Sequence, residues 1–376
     1  MKRFLSVLSV VSLSLTLLLG LSATVFAAPE IEDELVVITP VAKFVSDASL
    51  KDFAAFAKEK YGINVKVSAI NAGTPVAFGR ITEWNGRPQA DVFWGGESAL
   101  FDKLAEKGLL EKLNLPKDIW DDIPATIGKP KPLPIKDPKG FWVGTTLEPY
   151  GIAWNPTLLK RLGVPDIKTW SDLLNPKLKG WVAQCTPDRS SSNHATYEVL
   201  FQMWGLDKGW EYAEKLGANT GIFTTRSVDV PSVVAKGEFA VGFGVPSYMA
   251  FENVLAGYDV KYVAPKNAFV TCEPMGILKG SKNPKAAKAF VEFVLSERGQ
   301  ETFMNLGLFS LFPKYKVQGK PGSNAEKAVQ FTNGIRSFYE DGVENVYDDD
   351  IAQARYNKVN EDFQKRIVQR WNDLKK

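Results

Sequence analysis

Apolar positions along the chain recur in two rhythms, short runs that suit buried strands and stripes at helical spacing. Leu35–Thr39 is a short apolar run. Leu50, Phe53, Ala54, Ala57 and Tyr61 then mark one face of a helix that Gly62 closes. Ile63–Val67 alternates as a strand, a helical stretch follows from Pro75 to Trp84, and Ala90–Trp94 is a third strand. Behind it, Leu100, Phe101 and Leu104 stripe another helix, ended by Gly108. Strand and helix in regular alternation predict right-handed βαβ crossovers, hence an α/β fold with a parallel sheet covered by helices on both faces. Ligands of such sheets sit beyond the carboxyl ends of the strands. The segments Thr39–Ala42 and Gly95–Ser98 fall there, which makes Thr39 and Ser98 candidate contacts. For Thr39 a plain turn or helix cap is the competing explanation.

The Pro- and Lys-rich segment Gly128–Pro134 interrupts this pattern and is expected on the surface. Trp142–Thr146 resumes extended structure and leads through Glu148–Gly151 to the apolar Ile152–Trp154, ahead of a short helix around Thr157–Leu162. Gly180–Gln184 reads as a buried strand. Tyr197, Leu200, Phe201 and Trp204 then stripe a helix that Gly205 ends, and a further helix covers Trp210–Leu216. Phe239–Gly244 is a glycine-spaced strand whose bareness lets a ligand or another backbone come close. Ala268–Lys279 is extended, and Asn283-Pro284 starts an amphipathic helix with Ala287, Phe290, Val291 and Val294. The last fifty residues alternate charge and aromatics over two helical stretches.

Two turns carry the candidate chemistry. Between the strand ending at Gln184 and the helix striped from Tyr197 lies Cys185-Thr-Pro-Asp-Arg-Ser-Ser-Ser-Asn-His194. The first amides of a helix lack intrahelical partners and sit at the positive end of its dipole, so a hydroxyl-rich helix start can hold an anion. One N-cap needs a single hydroxyl; Ser190, Ser191 and Ser192 offer three. The second turn, Thr224–Asp229, precedes a short helix at Pro231–Lys236 and offers Thr225 and Arg226. Surface pairing with a nearby carboxylate is the alternative for Arg226. Tyr150, Tyr248 and Trp94 could line an organic portion of a ligand, with ordinary core packing as the alternative for each.

Composition narrows the classes. Met1-Lys-Arg3, the apolar run Phe4–Leu21 and Val25-Phe-Ala27 match a secretory leader cut after Ala27, and no Cys follows to take a lipid. A retained anchor is the alternative reading. Without residues 1–27 the chain has 349 residues, room for two domains, and 44 basic against 43 acidic side chains. That balance argues against a nucleic-acid partner and supplies no polybasic tract for a membrane surface. Cys185 and Cys272 enter an oxidising compartment, where they either form one disulfide, stabilising by about 4–5 kcal/mol in the chain-entropy picture, or stay buried thiols. The single histidine, His194, has no Gly-x-Ser-x-Gly elbow beside it, and clustered zinc ligands, a P-loop and a dinucleotide fingerprint are all missing from the sequence. No cofactor is expected, and the chain is better equipped to hold a small molecule than to transform one. A secreted hydrolase is the alternative from a different class.

Several segments, in order, resemble the solute-binding proteins of bacterial ABC importers, in the group with ferric-ion, phosphonate, sugar-phosphate, thiamine and polyamine binders. They are Ala90–Gly96, Tyr150–Pro156 with Thr169–Pro176 and Lys179-Gly180, Thr186–Ser190, and Lys282–Phe290 with Leu295–Gln300. The resemblance implies a periplasmic-binding-protein-like fold of type II, two α/β lobes joined by crossing strands near Gly144–Leu147 and Thr271–Met275. Residues 28–143 and 276–318 would form the first lobe, and 144–275 with 319–376 the second. It also implies a periplasmic or extracellular monomer that captures a solute between the lobes and delivers it to membrane permease subunits. Ferric binders of the group commonly place two adjacent tyrosines after the strand matching Phe239–Gly244. This chain has Ser247 and Tyr248 there, which weakens the iron reading, since a trivalent ion favours anionic oxygens. A phosphoryl- or phosphonate-bearing anion is therefore the expected cargo and ferric iron the alternative. Thr39, Ser98, Tyr150, Ser190, Ser191, Ser192, Thr225, Arg226 and Tyr248 are the candidate contacts, with no metal ligand among them.

Overall fold

The computed structural model describes residues 30–312, 321–332 and 344–374, so the leader and its cleavage after Ala27 lie outside the described residues. Two sheets organise the rest. In the first, Lys66–Asn71, Glu34–Thr39 and Val92–Trp94 lie side by side in parallel, continued by Pro274–Ile277 and Val143–Gly144 in antiparallel pairing. Leu35, Val37, Ile38 and Val92 are fully buried, as strands covered on both faces must be. The strand predicted at Ile63–Val67 instead runs Lys66–Asn71. It is an edge strand with a single neighbour, so polar Lys66, Ser68 and Asn71 fit it and the apolar alternation that suggested an earlier start does not mark it.

The second sheet has the order Thr220–Thr224, Val182–Cys185, Val241–Pro246, Thr146–Trp154, Lys261–Val263, with Val270–Thr271 and Phe309–Ser310 also pairing with Thr146–Trp154. All nine residues of Thr146–Trp154 are buried. Its helices include Ser191–Trp204, closed by Gly205, and Leu206–Asn219. Tyr197, Phe201, Trp210 and Phe243 pack together there, ring centroids 4.7–4.8 Å apart for Phe201–Trp210 and Tyr197–Phe243.

The chain passes between the lobes at Thr145 and again at Cys272–Glu273, and these passages are hydrogen-bonded to each other. The Thr145 amide donates to the Cys272 carbonyl (2.8 Å) and its hydroxyl to the Glu273 carbonyl (2.8 Å). After the second passage, Pro284–Leu295 and Glu297–Asn305 pack on the first-lobe helix Lys43–Tyr61, where Phe53 meets Phe290 at 5.2 Å. The cysteines do not pair. Both are free and buried, in separate surroundings: Cys185 ends the strand beneath the serine turn, and Cys272 packs against Gly144 with its sulfur 3.9 Å from the Pro134 carbonyl. Burial pushes the Cys185 thiol up to about 11 and the Cys272 thiol higher still, which leaves both inert. The disulfide alternative is thus excluded in this structure.

The C-terminal helix Asp349–Phe363 touches both lobes. Gln353 donates to Glu97 of the first lobe (3.0 Å), and Arg355 grips Glu198 of the helix Ser191–Trp204 through Nε and Nη2 (2.5–3.0 Å). Glu198 is wholly buried, so removing its cation strands a carboxylate. Arg355→Met is expected to lower unfolding free energy by about 3 kcal/mol in urea titrations, and the further change Glu198→Gln to recover part of that loss. Burial, and then the Asp349 carboxylate, raise Glu97 from 4.5 to about 8, against the opposing pull of Gln353 and Lys103. An acid raised in this way stabilises the fold fully below about pH 4.5 and progressively less as pH climbs to 8. Glu97→Gln is expected to flatten that part of the stability profile; an unchanged slope would assign it to another group.

Candidate functional site

Between the lobes lies a narrow groove, with about 50 Å³ of room for the centre of a water-sized sphere, lined by residues of both sheets and their helices. Two helix starts face each other across it. From the first lobe comes Thr74–Trp84, preceded by Gly73, and from the second Ser191–Trp204. The Thr74 and Ser191 hydroxyls meet at 3.2 Å, so the lobes touch at the groove itself. Ser190 is the N-cap of its helix, its oxygen accepting from the Asn193 amide at 3.2 Å. Capping therefore accounts for one serine. The Ser191 hydroxyl is shared with Thr74, and Ser192 lines the groove beside it, where helix geometry leaves the first amides without intrahelical partners.

Of the nine residues expected at the site, Tyr150, Ser190, Ser191, Ser192, Arg226 and Tyr248 line the groove. Arg226 is exposed. Its backbone amide donates to Asp229 (3.2 Å), while no ion pair occupies its guanidinium among the described residues. Thr39, Ser98 and Thr225 are not among the lining residues. Thr39 is fully buried and holds a turn, donating to the Trp94 carbonyl (2.7 Å) and accepting from the Val41 amide (3.0 Å). Ser98 opens onto a separate recess shared with Glu97, Tyr347 and Asp349. Thr225 is exposed on the turn. Trp94 belongs to the first-lobe core, packed on Phe290 and Phe303, with its indole donating to Thr145 (3.1 Å).

Three further groups line the groove that the sequence did not single out. Arg189 lies exposed beside the serines, and no ion pair occupies it among the described residues. Glu148, on the crossing strand, and Glu273, at the second passage, are 0% and 5% exposed. Glu273 has φ 42°, a left-handed backbone rarely adopted by a residue with a side chain. Its Oε2 accepts from the Gly96 amide at 3.0 Å; a side chain at Gly95 would come within 2.7 Å of the same oxygen. The glycine pair thus lets a carboxylate reach the backbone. Burial, and then the field of Glu273, hold the Glu148 carboxyl well above the usual range, and burial raises Glu273 too. Tyr150 and Tyr248 are pushed up as well, first by burial and then by Glu148. A signal for the two acids did exist: each is a lone carboxylate at a place where the chain was expected to cross.

Nothing in the groove is arranged as a nucleophile and base. His194 is buried with its ring 4.3 Å from Tyr356, neither nitrogen has a hydrogen-bond partner, and burial lowers it to about 3. Among the described residues, no three His, Cys, Asp or Glu side chains are placed to hold a metal ion. Hydroxyls, amides and guanidinium groups thus gather at a groove between two lobes.

The family model described as bacterial extracellular solute-binding protein matches residues 87–333, and the chain belongs to that family of ABC-importer transport proteins. An uncharacterised Haemophilus influenzae protein is 30% identical over 301 residues, covering 77% of this chain and 81% of its own. A Salmonella typhimurium protein provisionally named as a 2-aminoethylphosphonate-binding periplasmic protein is 27% identical over 255 residues, 66% of this chain and 69% of its own. Among solved structures, the periplasmic binding protein AfuA from Actinobacillus pleuropneumoniae, with fructose-6-phosphate bound, superposes with a TM-score of 0.72 at 25% identity. It covers 90% of this chain and 99% of AfuA. The apo ferric ion-binding protein A of Pasteurella haemolytica has a TM-score of 0.65 at 17% identity, covering 89% of this chain and 98% of its own, and shares the fold.

Proposed function

We propose that the chain captures a small phosphoryl- or phosphonate-bearing solute in the interlobe groove and presents it to membrane permease subunits. The observation that carries this reading is the start of helix Ser191–Trp204, whose serines line the groove together with Arg189 and Arg226, two arginines that no ion pair occupies among the described residues. A tetrahedral anion takes several hydrogen bonds at once, and amides, hydroxyls and guanidinium groups supply them in directions that suit it. The relatives named for a phosphonate and the neighbour holding a sugar phosphate support the same chemistry. Ferric iron fits the groove less well, because Ser247 stands where a second tyrosine would be needed and Tyr248 is buried beside carboxyls that oppose its ionisation.

A ligand joining both helix starts would favour the lobes held together, since only differential affinity shifts such an equilibrium. In a thermal-shift panel of sugar phosphates, phosphonates, phosphoglycerates, thiamine, polyamines and ferric citrate, the stabilising compounds are expected to be those with a phosphorus oxyanion. A chromogenic esterase and phosphatase screen is expected to show no turnover. Arg226→Ala should weaken binding of the best compound by about tenfold or more, ~1.4 kcal/mol, while leaving the melting temperature of the empty protein unchanged. Undiminished affinity would remove Arg226 from the site.

A further inference from the structure

The deep end of the groove is unlike its mouth. Arg189 and Arg226 are exposed, whereas Glu148 and Glu273 lie at the passages between the lobes, almost without contact with solvent. Two buried carboxyls side by side are costly unless a cation or a shared proton relieves them. No lysine or arginine is among the groups acting on either one; those are each other, Tyr150 and the Gly96 amide. Glu148 is the sharper case. It is fully buried, it borders the cavity, and among the described residues its oxygens meet no cation and no backbone amide, only the Glu273 carboxyl and the Tyr150 hydroxyl beside it. A carboxyl needed only for the fold would be expected to find donors there, as buried polar groups ordinarily do.

We propose that Glu148 and Glu273 form the receptor for a positively charged nitrogen of the solute, so that the cargo is a phosphonate or phosphate ester bearing an ammonium group. This rests on the anion-binding reading above. The groove is then dipolar, with hydroxyls, amides and guanidinium groups for the phosphorus end and a carboxyl pair at the floor for the amine. A neutral polyol tail would leave the pair to share a proton in a buried place, whereas an ammonium displaces that proton to solvent and lies against two carboxylates. The Glu273 backbone at φ 42° fits this role, because strain of that kind persists where the surroundings hold a side chain in a required position.

The test is calorimetric titration of the full mature protein with matched pairs, 2-aminoethylphosphonate against 2-hydroxyethylphosphonate and phosphoethanolamine against ethyl phosphate, with fructose 6-phosphate alongside. The amines are expected to bind on the order of 30-fold more tightly than their neutral partners. Glu148→Gln and Glu273→Gln, each checked for folding by circular dichroism, should each erase that preference while leaving the neutral partners bound as before. If one variant does not fold, the other decides. Equal affinity within each pair, a preference surviving in both folded variants, or binding of fructose 6-phosphate alone would overturn the ammonium site and leave the anion reading standing. Binding of none of the phosphorus compounds would end both, and is told apart by that result.

Discussion

Two strands of one chain can join two bodies only if their crossing is held against shear, and here that task falls on the backbone around Thr145. Its amide and hydroxyl both bond the opposite passage at Cys272–Glu273. Its carbonyl accepts from Gln300 at 2.8 Å, and its hydroxyl accepts from the Trp94 indole. The first lobe is therefore stiff up to the crossing, tied to its sheet through Trp94 and to its helices through Gln300. The same passage orients Glu273, so the part that joins the lobes also shapes the floor of the groove.

Much of this was written in the sequence. Strand ends, the helix stripes, Gly62 and Gly205 as helix stops, and the serine turn all declare themselves through local pattern, because each depends on neighbours within a few positions. The edge strand Lys66–Asn71 was displaced because half-exposed strands lack the apolar run that marks buried ones. The lining of the groove was legible where it consists of a hydroxyl-rich helix start, as at Ser190–Ser192. It was obscure where it depends on distant partners. Glu148 and Glu273 are 125 positions apart and meet only because the chain crosses twice at one place. Thr74 faces Ser191 only after two lobes have been assembled. Trp94 was ambiguous for the opposite reason, since an aromatic at a strand end serves a core and a ligand equally well by pattern.

The groove sets exposed guanidinium groups against buried acids. Its acids and tyrosines are driven towards their neutral forms, while His194 lies buried outside the groove lining, against Tyr356. The two lobes meet directly at the edge of the groove, where the Thr74 and Ser191 hydroxyls touch.

The helix Asp349–Phe363 holds one lobe with Gln353 and the other with Arg355, two positions further on. Any swing of the lobes must be absorbed between those neighbours. The guanidinium–carboxylate grip on Glu198 is the stronger of the two holds, because both of its partners carry charge. The amide at Gln353 is then the link that yields. The tail from Glu344 onward is thus fastened on both sides, to the first lobe also through its pairing with Lys129–Pro130 and the Lys131–Asp348 ion pair, so a shift of one lobe against the other would load it as a strap.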